Sequence, residues 1–309
     1  MAPVTLAPVT GRGTALALLS SLTFGMSGVL AKSVMATGAA PAQVTSARIA
    51  LAAAVLVVGV GLFRPRALRF GRGDWGLLIG FGLFGVVGAP LTFFVAASRI
   101  PVGIAMLLQF TAPVLVALWV RFVRGTRLPA AVWWGTAVAV VGLAVVAEVW
   151  SWSPRLDPVG VLVSLCSAVC LMAYYLLGER AGGAHDSYGV LAGGMVVGAV
   201  VLTVVSPPWL LPLDVPTSLG PTWLVLVALA LVATVVAYLT GVLSLRHLPP
   251  SAASVIGLLE VVVAAVLAWW LLDERLTVVQ VVGAVVLLAG AAVVQVASAR
   301  KPPEVVVAG

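Results

Sequence analysis

The sequence predicts an all-α membrane protein whose ten transmembrane helices form two inverted five-helix repeats. Three observations carry that expectation: apolar runs of membrane-crossing length recur along the chain, basic residues gather in alternate connectors, and the chain matches itself at an offset of 148 residues. Of its 309 residues, 62% are hydrophobic and only 9% are charged, against about 25% charged in an ordinary soluble domain. The mean hydropathy of +1.20 agrees.

A helix needs about 20 mostly apolar residues to cross the hydrocarbon. With Pro, Gly and charge clusters as punctuation, the runs are 14–34, 42–63, 75–97, 102–123, 130–150, 158–178, 187–206, 222–244, 251–272 and 277–297. They divide the chain into a tail 1–13, a first repeat 14–150, a linker 151–157, a second repeat 158–297 and a tail 298–309. The first run follows Arg12 and stays apolar to Ala31; that exceeds the apolar stretch of a cleaved signal peptide, so it is expected to be a span.

With the N-terminus in the cytoplasm, the inner connectors hold Arg12, Arg64, Arg66, Arg69, Arg72, Arg121, Arg124, Arg127, Arg180, Arg246, Arg300 and Lys301. The outer ones hold Lys32, Arg99, Arg155 and Arg275. Basic residues favour the cytoplasmic side, and an even number of spans returns the C-terminus there. Trp75, Trp133, Trp134, Trp150, Trp152, Trp209, Trp223, Trp269 and Trp270 cluster near the predicted membrane surfaces, as interfacial tryptophans do. A multi-pass protein of the inner (plasma) membrane is expected.

The self-match pairs Trp75 with Trp223, Thr92 with Thr240, Pro101 with Pro249, Arg127 with Arg275, Gly135 with Gly283 and Gly142 with Gly290. Lys32 falls on Arg180, and "GLAVV" at 142 on "GAAVV" at 290. Five spans per unit is an odd number, so the second copy enters the membrane upside down. That is the plan of secondary transporters, whose site lies near the midplane between the halves.

The repeat gives a place to the one charge in "SAASVIGLLEVVVAAVLAWW", Glu260. It stands ten residues into its span, about 13 to 14 Å deep at 1.5 Å per residue, where an ionisable group costs about 3 kcal/mol or more on insertion scales. Its twin is Ala112; one turn earlier, Gln109 is the twin of Gly257. Gln109 and Glu260 thus share a face and a depth, a polar patch on the wall of a central cavity. Glu260 reads as an amine contact or proton carrier, or else as a buried group bonded to a neighbouring helix. Gln109 reads equally as ligand contact or interhelical glue.

Other candidates also have two readings. Arg48, two turns inside the second span, either snorkels to the outer surface, slightly the better reading, or pairs with a substrate carboxylate. Thr92 and Thr240 either line the cavity or bond back to their own helices. Tyr174, Tyr175 and Tyr238 are cavity or packing groups, Glu148 is interfacial, and Pro90 and Pro113 mark kinks or hinges. The spacing of Gly76 with Gly80, and of Gly194 with Gly198, favours close helix packing. Cys166 and Cys170 lie one turn apart in an apolar run and read as small core residues.

The segment "ASVIGLLEVVVAAVLAWWLLDERLTVVQVVGAVVLLAGA" at 253–291 closely resembles the second-repeat motif of the EamA family, within the drug/metabolite transporter superfamily. "IPVGIAMLLQFTAPVLVALWVRFVRGTRL" at 100–128 is similar to its first-repeat counterpart, and "GMSGVLAKSV" with "TSARIALAA" to its first two spans. The pattern "VLAKS…SARIAL…IPVGIA…LGERAG" is similar to the branch that holds threonine/homoserine exporters. The resemblance implies a ten-span exporter of small metabolites. The chain departs from the family at Gln109, where members often carry Glu, and at Val261, where the second repeat usually has Pro. The first removes a possible second proton site; the second predicts that span nine is straighter than span four, which keeps Pro113.

Several functions are not expected. The formal charge of +7 sits in short connectors and not on the basic face of a nucleic-acid-binding module. The sequence has no G-x-x-x-x-G-K-[ST] loop for ATP, and His185 and His247 lie in connectors away from any catalytic set. An intramembrane enzyme and a non-transporting interaction protein are the weaker alternatives. The expected partners are a small-molecule substrate and the lipid bilayer, with no cofactor; the oligomeric state stays open. Single cysteines placed in connectors 64–74 and 207–221 test the topology. An impermeant reagent outside the cell should label the second and not the first; the reverse pattern would overturn the orientation.

Overall fold

The computed structural model describes residues 11–148, 156–182, 186–244, 247–248 and 250–299. Trp150, Trp152, Arg155, His185, Arg246, Pro249, Arg300, Lys301 and most of the two tails and the 151–157 linker lie outside the described residues.

The apolar runs form ten helical stretches. They are α1 (Gly11–Met35), α2 (Pro41–Phe63), α3 (Trp75–Ala97), α4 (Val102–Phe122), α5 (Ala130–Val146), α6 (Pro158–Gly182), α7 (Ser187–Val205) and α8 (Thr222–Ser244). Then come α9, in two pieces (Pro250–Gly257 and Leu259–Leu272), and α10 (Val278–Ala299). Among the described residues nine are long and apolar enough to cross a membrane, while α5, at 17 residues, is shorter.

Local chemistry sets the helix ends. Pro41 opens α2, where its missing N–H leaves no bond unmade, and the Ala40 N–H donates to Gln43 Oε1 at 2.9 Å. Asp186 accepts the Tyr188 N–H at 2.9 Å to start α7. Asp157 starts α6 by accepting the Val159 N–H at 3.0 Å, and its other oxygen takes Arg99 Nη1 at 3.0 Å. The arginine first, and then the backbone donors, hold that carboxyl below the usual carboxylate range.

Four places depart from regular α-helix. In α3 the backbone is π-helical over Phe81–Gly88, just before Pro90, whose ring lacks an N–H and clashes with the carbonyl four residues back. α8 is π-helical over Leu231–Val236 with no proline near; there the Thr234 hydroxyl donates to the Leu229 carbonyl at 2.8 Å. α4 breaks at Phe110 and Thr111, before Pro113. α9 breaks too, at Leu258, which corrects the expectation of a straighter span nine. Gly257 is a poor helix former, and Leu258 and Val261 close short turns on Val255 and Leu258 at 3.1 and 3.2 Å. The break thus recurs 148 residues after Phe110 without a proline.

The main contacts run between the halves of the chain. α1 packs on α8 and α9, α6 on α3 and α4, α2 on α7 and α8, α7 on α3, α4 on α9, and α5 on α10. Exchanging each helix for its counterpart five places away reproduces the same set.

The tightest of these contacts is between α5 and α10, and it is made by the glycine twins. A Cβ on Gly142 would meet the backbone of Leu287, and one on Gly290 the backbone of Ala139. On Gly135 it would lie 2.9 Å from the Gly290 carbonyl, and on Gly283 2.7 Å from the Val146 nitrogen. Gly194 and Gly198 also admit neighbours, Phe81 and Val86, but Gly76 faces open space, so its spacing carries no packing role. Gly142→Val should therefore lower the stability of the detergent-solubilised protein by about 1 to 3 kcal/mol through overpacking, while Gly76→Ala should be neutral or slightly stabilising. Equal thermal shifts for the two variants would refute the backbone contact.

Candidate functional site

Between α1, α2, α3, α4, α6, α8, α9 and α10 lies a cavity of ≈ 520 Å³. At one end its wall includes Ala17, Ser244 and Ser298, close to the start of α1 and the ends of α8 and α10. At the other it stops at Ser27, Arg48, Phe93 and Met106. Beyond that blind end the helices close on a cluster that includes Val29, Leu30, Val34, Phe94, Ile100 and Val102.

Polar contacts close the same end of the bundle. Lys32 Nζ lies 2.6 Å from Glu274 Oε1 and donates to the Ile100 carbonyl at 3.1 Å. Glu274 Oε2 accepts the Val102 N–H at 2.7 Å. One ion pair thereby joins the end of α1, the start of α4 and the end of α9.

Arg48 is only 4% exposed, so it does not snorkel to the surface, which corrects the slightly favoured sequence reading. Its face of α2 is covered by α1 and α8, and those helices supply its partners. Nε donates to Thr234 Oγ1 at 2.6 Å and Nη1 to Ser27 Oγ at 3.0 Å. The guanidinium carbon sits 5.4 Å from the Phe94 ring centroid, within cation–π range. Two hydroxyls and a ring replace part of the hydration lost on burial.

Glu260 is half-buried on the cavity wall. The break at Leu258 places it in the first turn of Leu259–Leu272, the helix end whose dipole favours a carboxylate. Arg48 and Glu260 line the same cavity. Gln109 ends the first segment of α4 and also lines the cavity. Its Nε2 donates to Ser167 Oγ at 2.8 Å, and Ser167 donates on to the Ala89 carbonyl at 2.7 Å. Tyr238 lines the cavity with its ring edge-on to Phe24 at 4.8 Å. Tyr174, Tyr175, Pro90 and Pro113 are on the wall as well.

Other expected residues lie elsewhere. Thr92 and Thr240 do not line the cavity; each hydroxyl turns back to the carbonyl four residues earlier, Gly88 at 2.6 Å and Val236 at 2.8 Å. Self-bonding satisfies a helical threonine without a neighbour. Glu148 is buried against its neighbours and accepts from Thr277 Oγ1 at 3.2 Å, tying the end of α5 to the start of α10. Among the described residues no group of three or more His, Cys, Asp or Glu could hold a metal ion.

Sequence reasoning missed Ser27, Thr234 and Phe94 around Arg48, Gln295 and Ser298 on the wall, and the Lys32–Glu274 pair. The last had a legible signal, since both charges fall at the predicted outer ends of their spans. Ser27 and Thr234 are distinguishable from other membrane hydroxyls only by what they touch.

Comparison with known proteins places this geometry. The threonine/homoserine exporter RhtA of Salmonella typhimurium (strain LT2) is 31% identical over 186 residues, which span 60% of this chain and 59% of that protein. The pseudopaline exporter CntI of Pseudomonas aeruginosa (strain UCBPP-PA14) is 27% identical over 189 residues, 61% of this chain and 64% of the relative. The matched stretch is thus less than two thirds of either relative. A solved crystal structure of a protein 23% identical to this chain shares the fold, with a TM-score of 0.61 over 91% of this chain and 96% of the other. The profile of the EamA-like transporter family matches residues 11–147 and 158–296. That match takes in both halves of the bundle and nearly every helix around the cavity, and the chain belongs to the EamA-like transporter family.

Proposed function

We propose that this protein is a secondary transporter of the inner membrane that exports a small zwitterionic metabolite, an amino acid or a similar amphipathic compound. The observation that carries the reading is the blind-ended cavity in mid-bundle that presents Arg48 and Glu260 on one lining. A buried guanidinium suits a substrate carboxylate, and a carboxylate suits an ammonium group. The exporter names of RhtA and CntI support a small-molecule cargo. Gln109 and Tyr238 complete the substrate contacts. The site needs no cofactor, and transport fits it better than catalysis.

Alternating access is the mechanism we assign. The two five-helix halves, 14–150 and 158–297, are inverted copies that rock about the site. The helix contacts that survive exchange of the halves, and the breaks in α4 and α9 one repeat apart, support this. Arg121 in the last turn of α4, and Arg124 and Arg127 after it, lie at the end where the cavity opens, so the positive-inside rule makes that end cytoplasmic. The arrangement is then an inward-open one, with the outer end shut by the apolar cluster and the Lys32–Glu274 pair.

In this scheme Glu260 exchanges a proton for the ammonium group of the cargo. Glu260→Gln is close in shape and should leave the protein folded, while proteoliposome counterflow over an amino-acid panel loses its pH dependence and amine-bearing substrates bind more weakly. Glu260→Ala should also lose stability. An unchanged pH profile and affinity in Glu260→Gln would make the carboxylate structural.

The seal makes a second prediction. Glu274→Gln removes the charge that holds Lys32 and should populate the outward-open state. A cysteine at Phe93, below the seal, should then react faster with an impermeant maleimide applied outside than it does with Glu274 intact. Equal rates would mean that the apolar cluster alone holds the end shut.

A further inference from the structure

The environment of Arg48 is more specific than burial of a charge requires. An arginine offers a carboxylate two bidentate faces, one from Nε and Nη2 and one from the two Nη atoms. Here Thr234 occupies Nε at 2.6 Å and Ser27 one donor of Nη1 at 3.0 Å, with Phe94 against the guanidinium. The first face is closed. Among the described residues no partner takes Nη2 or the remaining Nη1 donor, and Arg48 lines the blind end of the cavity. Thr234 sits within the π-helical turn of α8, where its own hydroxyl hydrogen goes to the Leu229 carbonyl five residues back. Its oxygen is therefore oriented as an acceptor. A hydroxyl that gives its proton to its own backbone has only lone pairs left for Arg48.

We propose that Thr234, with Ser27, is the positioning residue that presents the Nη edge of Arg48 as an end-on receptor for the substrate carboxylate, and so fixes the direction in which the substrate lies. The carboxylate points to the blind end, the ammonium group meets Glu260, and the side chain trails toward the mouth past the edge-on Phe24–Tyr238 pair. On this account the π-helical turn sets specificity: it aligns the acceptor that regular back-bonding, as at Thr240, leaves against its own helix. The inference rests on the reading of Arg48 as a carboxylate site.

The test uses purified full-length protein and equilibrium binding of L-threonine, L-homoserine and L-leucine, each beside its carboxamide, which keeps the ammonium group and removes the carboxylate charge. Wild type should prefer the acids. Thr234→Val, nearly isosteric but without the acceptor, should weaken the acids by about tenfold, the size of one hydrogen bond to a charged group, and leave the carboxamides unchanged. Thr234→Ser should restore the preference. In an Arg48→Gln background, Thr234→Val should have no further effect on the acids, because the two residues act as one unit. A structural role for Thr234 would weaken acids and carboxamides alike. If Arg48→Gln loses the preference for acids while Thr234→Val keeps it, the positioning role is wrong and the carboxylate site stands. If Arg48→Gln keeps the preference, or wild type binds none of the three acids, the carboxylate site is wrong and the inference falls with it.

Discussion

A backbone amide exposed to hydrocarbon has no water to bond, so every such group must be satisfied inside the protein. That constraint makes each span a helix, and it decides where the helices are allowed to be imperfect. The π-helical turn of α3 contributes Gly85 to the cavity, the break in α4 Phe110, and the break in α9 Gly257 and Glu260. Irregular backbone is tolerated where it lines a cavity or is buried in protein. Three of the four irregular stretches thus contribute to the cavity wall, and the break in α9 puts Glu260 in the first turn of a helix.

The same economy governs the two charges. An arginine and a glutamate in mid-membrane are both costly, and the chain meets the costs differently. Arg48 is held by neutral partners, Ser27, Thr234 and the Phe94 ring, which leave its charge uncancelled for a ligand. Lys32 and Glu274 neutralise each other at the end of the bundle and help to close it. In the proposed scheme a charge kept unpaired serves recognition, and a paired charge serves closure.

α5 and α10 meet backbone to backbone at Gly135, Gly142, Gly283 and Gly290, a contact that overpacking would disrupt. α10 also lines the cavity, together with α1, α2, α3, α4, α6, α8 and α9, whereas α5 contributes no lining residue. In the proposed rocking of the halves, the seal at α1, α4 and α9 is the contact that must break.

The membrane class, the helical runs and the placement of Glu260 and Gln109 on one cavity wall were legible in the sequence, because they follow from apolar run length and from a repeat in register. The glycine twins were visible as repeat markers, though not as the site of closest packing. Sequence could not decide Arg48: the distance from a span end allows snorkelling, and only the presence of α1 and α8 on that face rules it out. Val261 predicted a span nine straighter than span four, yet span nine breaks at Leu258, beside the poor helix former Gly257. Thr92 and Thr240 looked like better cavity residues than Thr234 because they are twins, but a hydroxyl's partner depends on local backbone geometry that a repeat does not record. Periodicity and composition reveal what must be buried; which buried groups meet is settled by contacts between residues far apart in the chain, and no local pattern encodes those.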